Sequence, residues 1–146
     1  MDTKTRFDAD SSEAPLSLKD FVGAARARVP EVSVAELMEM MRARPDLLVV
    51  DVRESSEHEQ SHIEGALLVP RGILEAAADP DYPKHVDTLC DARTRPVVTY
   101  CATGGRSAMA AATLQLMGFR EVYSLEGGIS AWEETGGPLV RGARYV

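Results

Sequence analysis

Short apolar runs alternate with helical segments along most of the chain. Residues 47–50 and 67–69 and the segments Pro96–Tyr100 and Glu121–Leu125 have the length and residue types of strands. The first run is continuously apolar, as expected of a strand that is covered on both faces. Strands that alternate with helices predict an α/β fold with an open, mainly parallel sheet and helices on both faces.

Helix signals lie between these strands. Ser17 can cap a helix that should run to about Arg28, and Ser33 with Glu36 forms the capping box of a second helix. Ser107 is expected to cap a long alanine-rich helix. The other predicted helices are shorter and cover residues 54–61, 73–78, 85–89 and 129–134.

The chain has the length of a single domain with additions at both ends. Its 146 residues are 45% hydrophobic, which is enough for a substantial core. We expect a mobile N-terminal tail at 1–15, an additional helix within 16–30, the main domain at 31–138 and a C-terminal tail at 139–146. The main domain therefore holds all the predicted strands.

Charge and cysteine content narrow the function classes. A net charge of −7 argues against a general nucleic-acid or anionic-membrane binder, and no apolar run is long enough to span a membrane. Two cysteines do not suggest a disulfide framework, and the polar N-terminus lacks the apolar core of a signal peptide. A reducing, cytoplasmic setting is the simplest interpretation.

The most informative segment follows the strand Pro96–Tyr100. A cysteine between a strand end and a helix start lies where backbone N–H groups and the helix dipole favour an anion, here a thiolate. Two glycines allow such a loop to curl its N–H groups inward, and an arginine adds positive charge. The candidate reactive loop consists of Cys101, Ala102, Thr103, Gly104, Gly105, Arg106 and Ser107, with Cys101 as the nucleophile.

Four segments together resemble the rhodanese family of sulfurtransferases. They are residues 50–53, 62–66, 101–107 and 126–132, and their order and spacing cover residues 33–137. The resemblance implies a single rhodanese module with a mainly parallel sheet of about five strands. The helix within 16–30 lies outside that module.

The resemblance also implies a reaction. The thiolate of Cys101 would take the outer sulfur of a donor such as thiosulfate and form a persulfide, and a cyanide or thiol acceptor would then remove that sulfur. No cofactor is needed. A second interpretation is a non-catalytic or slow sulfur-carrier or protein-interaction module, whose partner is a sulfur-pathway protein that contacts the additional N-terminal helix.

A third interpretation, a small phosphatase or arsenate reductase, is disfavoured by the length of the loop. Four residues lie between Cys101 and Arg106, whereas related phosphatases and arsenate reductases carry one more, which opens the ring for a tetrahedral oxyanion. The shorter loop fits a sulfur atom better than a phosphate. Thr103 could donate to the bound anion, and Arg106 could either face the substrate or brace the loop.

Several other residues are assigned supporting or structural roles. Asp51, at a strand end, is expected to organise the site through hydrogen bonds or an ion pair, and Arg53 is expected to pair within the scaffold rather than contact the substrate. Cys90 is interpreted as structural, His58 as solvated, and the acidic residues within 54–59 as a solvated helix face. His58 and His62 are four residues apart but have no third ligand in the sequence pattern, so no metal site is predicted.

Overall fold

A computed structural model describes residues 14–142, so most of the tail expected at 1–15 and the last four residues of the tail expected at 139–146 lie outside the described residues. Within 14–142 the chain forms seven α-helices, one 3₁₀ helix and seven strands. In chain order these are α1 (Leu18–Arg28), β1 (Glu31–Val32), α2 (Val34–Ala43), β2 (Leu48–Asp51), α3 (Ser55–Gln60), β3 (His62–Ile63), β4 (Leu67–Leu68), the 3₁₀ helix (Arg71–Ile73), α4 (Leu74–Ala78), α5 (Asp87–Cys90), β5 (Pro96–Tyr100), α6 (Gly105–Leu116), β6 (Glu121–Leu125), α7 (Gly128–Glu134) and β7 (Leu139–Val140).

Five strands form the main sheet in the order β1-β6-β5-β2-β4, and every pair is parallel. This confirms the predicted α/β architecture. Neighbouring residues of one strand enter different buried clusters: Val50 and Val97 belong to one cluster, and Val49 and Val98 to the other. Because successive side chains of a strand point to opposite faces, the sheet has an apolar core on each side.

The additional helix α1 is part of the folded domain. Ser17 caps its start as predicted, and Ser17 and Asp20 together form a capping box there. Ala25 and Val29 are 6% and 3% exposed and belong to the same buried cluster as residues of α6. The helix therefore packs against α6 rather than projecting from the domain.

Two local predictions are wrong. Residues 139–140, expected in a tail, form β7 and pair antiparallel with β3. A two-residue strand is too short to show an alternating pattern in the sequence, and it is recognised only by its pairing with another strand. The long helix also begins at Gly105, with Gly104 as its N-cap, so Ser107 lies inside the helix and does not cap it.

The parallel topology decides where the loops meet. Strands β2, β5 and β6 end at Asp51, Tyr100 and Leu125, so the segments that follow them share one edge of the sheet. Ligands of open α/β sheets bind beyond this carboxyl edge. No helix within residues 14–142 has both the length and the apolar character that crossing a bilayer requires.

Candidate active site

Cys101 is the first residue after β5, and its loop turns directly into α6. The residue is only 1% exposed. Gly104 has a φ of +114°, a conformation that residues with a side chain rarely adopt, and this turn starts the helix one residue later. The glycine therefore lets the chain return over the sulfur within a few residues.

Several donors converge on Sγ of Cys101. The backbone N–H groups of Gly104 and Ser107 donate to it over 3.1 and 3.4 Å, and the Ser107 hydroxyl lies 3.5 Å away. Burial alone raises the pKa of the thiol, but the hydrogen bonds of Ser107, Gly104 and Thr103 outweigh burial, so the pKa lies below its ordinary value. The loop thus favours a thiolate.

The groups that surround Sγ form a cradle for the sulfur, and Ser107 connects this cradle to β6. Its hydroxyl lies 3.2 Å from the carbonyl oxygen of Gly104 and 2.8 Å from Oγ of Ser124, and both serines are fully buried. Ser107 is therefore part of the cysteine loop's cradle. It takes this place from inside α6 and not as the cap of that helix.

Arg106 is held by a residue that the sequence pattern did not single out. Its two terminal nitrogens donate to the two carboxylate oxygens of Glu57 over 2.9 and 3.0 Å. Hydrogen bonds from Arg106 lower the pKa of Glu57 to about 2. The prediction of a solvated acidic face on α3 is therefore wrong for Glu57, and Arg106 braces the loop against that helix.

The start of α7 closes the loop from behind. The N–H groups of Ile129 and Ser130 donate to the carbonyl oxygens of Cys101 and Ala102 over 2.9 and 3.2 Å. A Cβ at Gly128, whose φ is +60°, would lie 2.5 Å from both of these carbonyl oxygens. Only glycine allows this approach, which ties the segment 126–132 to the cysteine loop.

Asp51 is the centre of a buried polar network beside the loop. It accepts from Nε and Nη2 of Arg53 over 3.0 and 2.8 Å, from the Tyr100 hydroxyl over 3.1 Å, and contacts Nδ1 of His58 at 2.8 Å. Asp51 and Arg53 pair with each other within the scaffold. The prediction that His58 is solvated is wrong, because the residue is 4% exposed.

The other residues of the predicted loop, and Cys90, differ in exposure. Thr103 is exposed at the tip of the loop, and Ala102 and Gly105 are half-buried. Cys90 is half-buried at the end of α5, where Sγ donates to the carbonyl oxygen of Ala77 over 3.4 Å. Among residues 14–142, no cluster of three or more His, Cys, Asp or Glu side chains is placed to hold a metal ion.

Sequence reasoning missed Glu57, Tyr100 and Ser124 as parts of the site. Each reaches it from a different element, and nothing within a few residues of each position identifies its partner. A parallel register prediction for β2, β5 and β6 would have been the signal, since it places Asp51 opposite Tyr100.

Comparison with known proteins agrees with this geometry. The family model of the rhodanese-like domain matches residues 33–135. Thiosulfate sulfurtransferase GlpE from Coxiella burnetii is 33% identical over 103 residues, which cover 70% of this chain and 86% of that protein. The tRNA uridine(34) hydroxylase of Pectobacterium carotovorum is 36% identical over 103 residues, which cover 70% of this chain but only 28% of the hydroxylase.

The fold also matches a solved structure from Rhodopseudomonas palustris. That protein is of unknown function and is named a possible tyrosine phosphatase. It superposes with a TM-score of 0.80 at 30% identity and covers 90% of this chain and 100% of its own. The sequence match, the parallel five-stranded sheet and the cysteine loop agree, and the chain belongs to the family of rhodanese-like domains, whose members include sulfurtransferases.

Proposed function

We propose that the protein transfers sulfane sulfur from an anionic donor to a thiophilic acceptor through a persulfide on Cys101. The observation that carries the proposal is the convergence of the Gly104 and Ser107 N–H groups on a single buried sulfur. Such a cradle stabilises an anionic sulfur before the transfer and the persulfide after it.

In the first step the Cys101 thiolate attacks the outer sulfur of the donor. With thiosulfate, a new S–S bond forms to Sγ, the S–S bond of thiosulfate breaks, and sulfite leaves with the electron pair. Thr103 is exposed in the loop, so its hydroxyl is available to donate to the sulfonate group of the donor. The loop amides then hold the terminal sulfur of the persulfide.

In the second step the acceptor attacks that terminal sulfur. A cyanide ion forms a C–S bond, the S–S bond to Sγ breaks, and thiocyanate leaves while the Cys101 thiolate is restored. A thiolate acceptor would take the sulfur in the same way and become a persulfide. No external oxidant, reductant or cofactor is needed, since each step forms one bond to the transferred sulfur and breaks one S–S bond.

Other residues support this chemistry without reacting. Arg106, paired with Glu57, holds the loop against α3. Asp51, paired with Arg53, accepts from the Tyr100 hydroxyl and so ties the end of β2 to the end of β5. Thiosulfate is a reasonable first donor because GlpE of C. burnetii is named for it.

Intact mass spectrometry tests the proposal. The wild-type protein should gain the mass of one sulfur atom with thiosulfate and lose it on addition of cyanide, with formation of thiocyanate. Cys101→Ser should show neither signal, and Cys90→Ser should behave as wild type. No sulfur gain with several sulfane donors, or robust Cys101-dependent hydrolysis of an aryl phosphate, would refute it.

A second candidate is a sulfur carrier that delivers its persulfide to an acceptor protein with slow turnover on small molecules. Three large apolar side chains at the start of α1 favour it, because Leu16, Leu18 and Phe21 are 68%, 72% and 55% exposed. Replacing Leu18 and Phe21 with Gln should then impair transfer to a protein acceptor but not to cyanide. Equal transfer to both acceptors would contradict this candidate.

A further inference from the structure

Two arginines of the rhodanese-like module, one in the cysteine loop and one after β2, are already paired with carboxylates. Arg106 makes a two-bond ion pair with Glu57, and Arg53 makes a buried pair with Asp51. Arginines in such pairs attract a second anion weakly, because the adjacent carboxylate cancels most of the guanidinium charge. An anionic donor therefore gains from a cation outside these pairs.

Arg26, in the last turn of α1, lies against the outer side of the loop. Its Nη2 is 3.4 Å from the position that a Cβ on Gly104 would occupy. Since Gly104 N is 3.1 Å from Sγ of Cys101, covalent geometry places Nη2 no more than about 9 Å from the sulfur. That separation is close to the screening length of about 8 Å at physiological ionic strength.

The helix is fixed in this position by packing. Val22, one turn before Arg26, has Cγ2 3.6 Å from the position of a Cβ on Gly105. Ala25 is buried against the α6 side of the core. Val22 and Ala25, on one face of α1, thus hold the Arg26 guanidinium beside the loop while 44% of its side chain stays exposed.

We propose that Arg26, contributed by the helix outside the rhodanese-like module, attracts and orients the anionic group of the sulfur donor at the Cys101 loop. This inference rests on the proposed function for the identity of the donor. It assigns α1 a role in the site, as the element that supplies positive charge at the loop.

Glu31 sets the strength of this charge. Its Oε2 lies 3.8 Å from Nε of Arg26, too far for a hydrogen bond, and is buried with no hydrogen-bond partner among the described residues. The carboxylate therefore weakens the field of Arg26 without tying its Nη2 away from the loop. Removing the carboxylate should strengthen donor binding, which is the opposite of removing the guanidinium.

The experiment compares four variants of the full chain with wild type. Arg26→Gln should raise the KM for thiosulfate about threefold to tenfold and leave kcat within about twofold, and Glu31→Gln should lower that KM. Arg26→Lys should stay close to wild type. Arg28→Gln, on the same helix turn, is the matched control and should change nothing.

A second readout does not depend on sulfur transfer. The alkylation rate of Cys101 with anionic iodoacetate, divided by that with neutral iodoacetamide, reports the local potential, and peptide mass spectrometry separates Cys101 from Cys90. The ratio should fall about threefold or more in Arg26→Gln and rise in Glu31→Gln. Added salt should reduce the ratio in wild type.

The outcomes separate the two proposals. Loss of wild-type sulfur loading with an intact alkylation response refutes the sulfur-transfer function but keeps Arg26 as an anion-attracting residue. If wild type loads sulfur but Arg26→Gln has the same KM and the same alkylation ratio as wild type, the role of Arg26 is overturned. If Arg26→Gln fails to fold, an unchanged ratio in Glu31→Gln has the same consequence.

Discussion

Glu57 and Arg106 join α3 to the cysteine loop through two parallel hydrogen bonds of 2.9 and 3.0 Å. The pair spans 49 positions of sequence and is about one-third exposed on each side. Its geometry fixes the guanidinium plane, which a single contact would leave free to rotate.

This ion pair predicts a pH-dependent contribution to stability. The pKa of Glu57 falls from an ordinary 4.5 to about 2 on folding, so its contribution is complete above pH 4.5 and is lost as pH falls toward 2. Urea unfolding of wild type and Glu57→Gln should differ by no more than about 1 kcal/mol at pH 7, because the pair is partly exposed. The difference should vanish near pH 2; a constant difference would contradict the pairing.

Asp51→Asn should be far more costly. The substitution leaves the Arg53 guanidinium, whose side chain is 6% exposed, without its carboxylate. Breaking a buried pair in this way costs about 3–5 kcal/mol of unfolding free energy. Glu39→Gln, in the exposed Glu39–Arg42 pair, is the control and should cost less than about 0.5 kcal/mol. Equal losses would show that the Asp51 network contributes little.

The thiol of Cys101 should titrate below its ordinary range, because the hydrogen bonds of Ser107, Gly104 and Thr103 outweigh the effect of burial. Iodoacetamide rates measured against pH give the midpoint directly. Ser107→Ala should move that midpoint upward and slow alkylation at neutral pH. Ser130→Ala, at an exposed position of α7, should not. An ordinary alkaline midpoint in wild type would remove the basis for an ionised nucleophile.

Gly128→Ala tests the contact between α7 and the loop. The new methyl group would meet two carbonyl oxygens at 2.5 Å in a backbone conformation with φ of +60°. Strain and overpacking together should cost about 2–5 kcal/mol and slow Cys101 alkylation. Gly136→Ala has a similar φ of +79° but no atom within 4 Å, so it should cost about 1 kcal/mol and leave Cys101 unaffected.

The helices and long strands were predictable because their signals are local. The helix cap at Ser17, the capping box at Ser33, the apolar run before Asp51 and the Gly-rich turn after Cys101 act over three or four residues. The α/β class followed from their alternation. The two-residue strands β3 and β7 could not be predicted, because each is stabilised only by the other.

The sequence by itself determined the longer helices and strands, the family and the position of the Cys101 loop, since each depends on neighbours along the chain. The tertiary structure alone decided that Arg106 pairs with Glu57, that His58 is buried against Asp51, and that Arg26 reaches Gly104. These contacts join residues from separate elements. Their partners are chosen by strand register and helix packing, which no local pattern of residue types records.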